Sequence, residues 1–314
     1  MTGALRGPAA GGTEAEISYR PGVEGDLLPS VGVFKRALNG HYGTYNLPLV
    51  AGPDAAFVPL HRHIMENAGP RFWVAEAGGE MVGFGAGIVR GDLWYLSALF
   101  VLPEAQGCGV GGTLLRRART DAPSGGLAAT ITDALQPVSN TLYARHGLLP
   151  WLPVLGLQGK APDGAATPLP RGCEVVRLDP SLLGEVRDLD VAVTGLDRTP
   201  EHLFYLSEDG KRDGWLLRRG GRPAGYVYTS SRGLVGPAAS RRRADMAVLM
   251  RAALGLMRER GIEDVYVPVP GPNRDAQRVL LAAGFTFEAC PGMLLASREF
   301  GRFDRYIIAN YGLM

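Results

Sequence analysis

The segment Phe100–Arg117, FVLPEAQGCGVGGTLLRR, gathers into one loop the residue types that could hold a charged ligand. Gly107, Gly109, Gly111 and Gly112 follow an apolar run and lead into a Leu/Arg stretch with helical patterning. Amides at the start of a helix lack intrahelical partners, and the helix dipole adds partial positive charge. Glycines let that backbone turn tightly and approach a ligand with no Cβ in the way. Amides of Gln106, Gly107, Cys108, Gly109, Val110, Gly111 and Gly112 would therefore nest phosphate oxygens, and the Thr113 hydroxyl could add a donor. A ligand-free turn can share this composition, because the chain holds 44 glycines.

Two nucleotide loops compete for the same residues. Gly107, Gly109 and Gly112 satisfy G-x-G-x-x-G, and Asp133 lies about 20 residues further on, where a dinucleotide fold puts its ribose-binding acid. However, LPEAQ separates these glycines from their strand. That strand also follows a hairpin pattern instead of opening a parallel βαβ unit. A Walker loop is excluded, since no Gly-Lys-Ser/Thr follows.

A third pattern fits at fixed spacing. VLPEAQGCGVG, Val101 to Gly111, resembles the acetyl-CoA loop of the GNAT N-acetyltransferases, V-x-P-x-x-[R/Q]-G-x-G-[V/I]-[G/A]. Val101, Pro103, Gln106, Gly107, Gly109, Val110 and Gly111 all match it. SNTLYARHGL is similar to a later segment of that family, with Asn140, Tyr143 and Gly147 in the corresponding places. The resemblance covers nearly all of the first half of the chain and the second half more weakly. It implies that the strand ending at Val101 splays from its neighbour. Backbone groups around Leu99, Phe100 and Val101 would then pair with pantetheine amides, residues 106–112 would take the pyrophosphate, and Arg116 or Arg117 would meet the ribose phosphate. Acetyl-CoA would be the co-substrate, with no metal, and the acceptor a small-molecule amine or a peptide.

A thioester is already activated, so the enzyme must align the amine, stabilise the oxyanion and move protons. An N–H near Leu99 could donate to the thioester oxygen, and Tyr143 could protonate the departing thiolate. By itself Tyr143 also reads as a core aromatic on a helix. The base is not identified. Ser97 could order a water, Glu104 lies beyond the strand end, and the resemblance implies that His41, His61 and His63 lie in the region lining the acceptor side. His61 and His63, two apart on a helix, cannot chelate together. A binding protein without turnover, sensing acyl-CoA on the same fold, is the other reading.

These residues need a scaffold, and the chain carries it twice. WVAEAGGEMVGFG from Trp73 and WLLRRGGRPAGYV from Trp215 share Trp, a Gly-Gly turn, then Gly and an aromatic. Both read as hairpins. A proline-bearing strand follows each, at Pro103 and Pro237, then helices ending at Gly147 and Gly284. The expected fold is α/β, a mixed sheet flanked by helices, in two tandem GNAT-like units. Residues 1–16 read as a tail, 17–157 as the unit with the acetyl-CoA site, 158–171 as a Pro/Gly/Ala linker, and 172–314 as a degenerate unit. In that second unit AASRRRAD replaces the glycine nest, Leu280 stands where Tyr143 would, and Gln277 where Asn140 would. Arg241–Arg243 read as a solvated helix start. Asp197 and Arg198 begin a helix expected to pack Leu203, Phe204 and Leu206 inward.

The bulk properties agree. A chain of 314 residues exceeds one ordinary core. A net charge of +2 argues against bulk binding to nucleic acid or an anionic membrane. Cys108, Cys173 and Cys290 have neither metal-ligand nor disulfide spacing, which suits a reducing cytoplasm. A homodimer is left open.

Overall fold

A computed structural model describes residues 16–162 and 168–314. The expected tail, but for Glu16, and positions 163–167 of the expected linker lie outside the described residues. The first half runs β1 (Ile17–Pro21), α1 (Leu27–Thr44), α2 (Val58–Ala68), β2 (Phe72–Ala77), β3 (Glu80–Arg90), β4 (Leu93–Val101), α3 (Val110–Ala118), β5 (Leu127–Asp133), α4 (Pro137–Arg145) and β6 (Leu149–Lys160). The second repeats that order as β7 (Cys173–Arg177), α5 (Leu183–Thr194), α6 (Thr199–Leu206), β8 (Arg212–Arg219), β9 (Arg222–Ser230), β10 (Val235–Ser240), α7 (Arg243–Glu259), β11 (Asp264–Pro270) and α8 (Arg274–Ala282). It then adds β12 (Thr286–Phe287), β13 (Gly292–Ala296) and β14 (Tyr306–Ile307).

The repeat is physical as well as textual. β2–β3 and β8–β9 are antiparallel hairpins, each with an irregularity at the matching place, Ala75/Glu76 and Leu217/Arg218. α4 and α8 both terminate before a glycine in the left-handed conformation, Gly147 and Gly284, each with φ 84°. A side chain there would strain the backbone, so glycine closes both helices. β3 is apolar and buried from Val82 to Ile88 because α1 and α2 cover one face and α3 the other. α3 buries Val110, Leu114, Leu115 and Ala118, which is one stripe of a helix.

The two halves are not separate sheets. One sheet of nine strands has the order β1-β2-β3-β4-β5-β13-β6-β11, with β12 on β6. β13, from the second half, lies between β5 and β6 of the first. The outer part of β6, Val154–Lys160, pairs in return with β11 along its whole length. Thus each half lends a strand to the other, and β6 passes Leu157 to reach Lys160. The smaller sheet has the order β14-β10-β9-β8-β7.

Expectations for α6 are corrected. Leu203 is 53% exposed, while Glu201, His202 and Tyr205 are buried. His202 donates or accepts at Nε2 with Asp190 (2.7 Å) and at Nδ1 with Tyr228 Oη (3.0 Å). Phe204 and Leu206 pack against the core as expected, so the correction concerns Leu203, and a buried polar network joins them in turning this helix inward. His61 and His63 are also buried, at 6% and 7% exposure. No helix among the described residues is long and apolar enough to cross a membrane.

Candidate active site

β4 is paired with β3 along its length, yet meets β5 in parallel only at Leu93–Tyr95. The Thr130 hydroxyl still reaches the Leu96 carbonyl at 2.9 Å. Beyond that point the strands separate. β5 is held on its other side by β13, so it cannot follow β4. The gap opens into a cavity of about 800 Å³. Leu99, Phe100 and Val101 line it, as do Gln106, Gly107, Gly109, Val110, Gly111, Gly112 and Tyr143. Cys108, Thr113 and Asn140 do not. Cys108 is exposed, and Thr113 Oγ1 accepts from Arg116 Nη2 at 2.9 Å. Asn140 Nδ2 donates to the Asp133 and Ala134 carbonyls, at 3.2 and 3.3 Å, so it braces the turn before α4.

The loop has the geometry of a nest. Gly107 and Gly109 sit at φ 83° and 80°, a region costly for any residue with a Cβ, and Gly109 caps α3 without a side-chain acceptor. Among the described residues no backbone carbonyl accepts from the amides of residues 107–112. All of these residues except Cys108 line the cavity, at the positive end of a helix. Arg117 is committed elsewhere, its guanidinium 4.5 Å from the Trp73 ring and 5.2 Å from Tyr19. Gln106 Nε2 donates to the Val101 carbonyl (2.9 Å), so that carbonyl already has a partner from its own chain.

Tyr143 is buried at 5% exposure. Burial pushes its phenol above the usual tyrosine range, and the Ser139 hydroxyl one turn earlier offsets only part of this. It therefore keeps its proton at neutral pH. The groups weighed near the acceptor side fare differently. Glu104 is exposed and paired with Arg36 (2.6 Å). Ser97 Oγ donates to the Gly312 carbonyl (2.6 Å). Ser30 gives its one proton to the Leu27 carbonyl, so His61 Nδ1 is the donor in their 2.7 Å bond. Burial lowers the His61 pKa to about 4, leaving it neutral and a poor proton acceptor. His63 stacks on Phe204 at 4.4 Å, outside the cavity lining. His41 lines the cavity, and its Nε2 is buried without a partner.

Two features escape reading from sequence. Asp133, weighed there only as a ribose-binding acid, lines the cavity at 9% exposure. It ends β5, and the separation of β4 from β5 is what brings it to the cavity. The other is Asn310–Gly312, a wall supplied by the C-terminal segment. Tyr95 Oη and Ser97 Oγ donate to its carbonyls at 2.5 and 2.6 Å. Nothing in a linear sequence ties residue 310 to residue 97.

In the second half, the matching opening is filled. β14 pairs antiparallel with β10, Ala238 opposite Ile307 and Ala239 opposite Tyr306, and packs against β11. Tyr306 and Ile307 are fully buried. The chain's own backbone thus takes the β10 edge that an extended ligand would need.

Comparison with known proteins agrees with this geometry. Residues 68–147 match the acetyltransferase (GNAT) domain family. A probable N-acetyltransferase of Mycobacterium tuberculosis is 30% identical over 95 residues, which is 29% of this chain and 55% of that relative. The match therefore spans about half the length of the relative. A putative acetyltransferase from Pyrococcus horikoshii superposes with a TM-score of 0.72 at 19% identity, over 95% of this chain and 96% of its own. A tandem GNAT protein from the clavulanic acid biosynthesis pathway gives 0.61 at 18% identity, over 90% and 99%. Residues 68–147 thus match the GNAT domain family, and the fold of both halves together is the one seen in a tandem GNAT protein.

Proposed function

We propose that the protein is an N-acetyltransferase that moves acetyl from acetyl-CoA to a primary amine by direct attack, at one site in the first half. The observation that carries this reading is the cavity between the separated strands β4 and β5. It combines unpaired amides at the start of α3 with a buried, protonated phenol. The thioester supplies an activated acetyl group. Amides of residues 107–112 hold the diphosphate, the β4 edge at Leu99–Val101 aligns the pantetheine arm, and Tyr143 gives the leaving sulfur a proton. Pairing at the Val101 carbonyl requires the Gln106 side chain to swing away. Arg116, whose Nη2 lies beside Thr113, would meet the ribose phosphate, since Arg117 packs on Trp73.

The second half binds no acetyl-CoA in this reading, since β14 fills its opening and no glycine nest is present. Calorimetric titration with acetyl-CoA tests both points. One equivalent should bind, and free CoA should be released when amines are added. Two equivalents, or none, would reject the assignment. Binding without CoA release across a broad amine panel would favour an acyl-CoA sensor.

A further inference from the structure

Away from the glycine loop, the cavity reaches between α1, α2 and β4. Phe34, Phe57, Phe84 and Phe100 form its wall there, with Phe34 centred 5.8 Å from Phe57 and 5.0 Å from Phe100. Phe84 lies 5.6 Å from Phe100. His61, neutral for the reason above, brings no charge to this wall. Among the described residues, Asp133 is the one carboxylate lining the cavity, and no arginine or lysine forms an ion pair with it. The groups around it are His41 and Tyr42 of α1, Tyr143 of α4, Glu288 and Cys290 between β12 and β13, and Tyr311. A nine-tenths buried carboxylate whose polar support is the Tyr42 hydroxyl and the His41 ring, with no arginine or lysine, is better compensated when a ligand brings the opposite charge.

We propose that Asp133 binds the acceptor's ammonium and takes its first proton, and that the acceptor is a primary monoamine with an aromatic or branched apolar body seated against Phe34, Phe57 and Phe100. This rests on the acetyltransferase reading above. The ammonium loses a proton to the Asp133 carboxylate, which frees the nitrogen lone pair. A C–N bond forms at the thioester carbon, and the C–S bond then breaks. The sulfur leaves with the Tyr143 proton. The nitrogen's second proton is lost as the amide forms and restores the phenol, so one proton goes to solvent through Asp133. A second ammonium would find no other carboxylate on this wall, which disfavours polyamines. The one arginine lining the cavity among the described residues, Arg145 of α4, is all it offers to an acceptor carboxylate.

The test uses the full chain with acetyl-CoA and phenethylamine. Asp133→Asn should keep acetyl-CoA affinity within about twofold and lower phenethylamine turnover by about 10²-fold or more. Its kcat/KM should rise about tenfold per pH unit, because only free amine can then react, whereas the wild type should be flatter. With CoA bound, phenethylamine affinity should drop about tenfold or more in Asp133→Asn, and phenethyl alcohol affinity should not change. Matching rates and pH profiles in variant and wild type would overturn the assignment while leaving the transferase intact. Asp133-dependent amine binding with no CoA release from the wild type would instead reject the transferase and keep the amine site. Phe57→Ala should raise KM for phenethylamine far more than for ethylamine. Equal changes would reject the apolar-body part.

Discussion

Tyr143 and Asp133 are both buried, and burial disfavours the charged form of each. The consequences differ. A phenol held above its ordinary range is protonated at neutral pH, as the proposed proton donor must be. Tyr143→Phe should leave acetyl-CoA binding nearly unchanged and lower kcat by about 10²-fold; an unaltered rate would remove Tyr143 from the chemistry. For Asp133, burial raises the carboxyl pKa, while His41 and Tyr42 pull the other way without cancelling it. The folded state then holds this proton more tightly than the unfolded chain. Its contribution to stability is favourable below the unfolded carboxyl value, about 3.9, and is lost as pH rises through the folded value. At neutral pH an uncharged replacement should therefore stabilise. Asp133→Asn is expected to melt above the wild type near pH 7, with the advantage shrinking toward pH 4; a lower melting temperature at pH 7 would contradict the burial argument.

At the scale of elements, the loop into α3 works through backbone shape. Gly109 at φ 80° can carry a Cβ only at a cost of about 1–2 kcal/mol. No atom lies within 4 Å of where that Cβ would sit, so strain and not collision is the penalty. Gly109→Ala should lower the melting temperature modestly and weaken acetyl-CoA binding markedly, read by calorimetry and thermal unfolding. Undiminished affinity would mean the amides of 107–112 do not hold the diphosphate. The C-terminal segment is the second element with a double role. Tyr306 and Ile307 close the opening beside β10, and a few residues later Asn310–Gly312 wall the cavity beside β4. One short stretch thus bears on both halves.

For the whole molecule, the exchanged strands make the halves one cooperative body. β5 and β6 do not pair with each other; β13 joins them. Residues 1–162 produced alone would expose the facing edges of β5 and β6, and are expected to lack a resolved amide spectrum or to aggregate. The intact chain should unfold in one calorimetric transition. A folded, monomeric fragment would show that the exchange is dispensable. An ion pair also crosses the halves, Arg90 of β3 with Glu201 of α6 at 2.5 Å, and His63 Nε2 lies 3.9 Å from the same carboxylate. Burial alone would raise the Glu201 pKa, but His63, Arg90 and Arg198 hold it at about 2. That stabilisation is present above the unfolded glutamate value near 4.3 and is lost as pH falls toward 2. Arg90→Ala leaves a buried carboxylate uncompensated and should cost about 3–5 kcal/mol near pH 7, read by denaturant unfolding.

Local patterns carried much of this protein in the linear sequence. The hairpin repeat, the helix-closing Gly147 and Gly284, and the fixed spacing from Val101 to Gly111 each depend on neighbouring residues, so reading along the chain finds them. Leu99–Val101, Gln106, Gly107, Gly109–Gly112 and Tyr143 were legible as cavity residues for the same reason, whereas Cys108, Thr113 and Asn140 do not line the cavity. Contacts between distant segments were not legible. The inward turn of His202 depends on Asp190 and Tyr228, and β13 between β5 and β6 depends on an edge supplied some 160 residues earlier. Asp133 became a cavity group only when β4 left β5, and Ser97 lost its free hydroxyl only when Gly312 arrived. Sequence alone determined the repeated elements and the glycine-rich loop into α3, because backbone preferences act over a few residues. Only the tertiary structure decided which opening stays empty and which groups face it, because that depends on strand edges competing for partners across the whole chain.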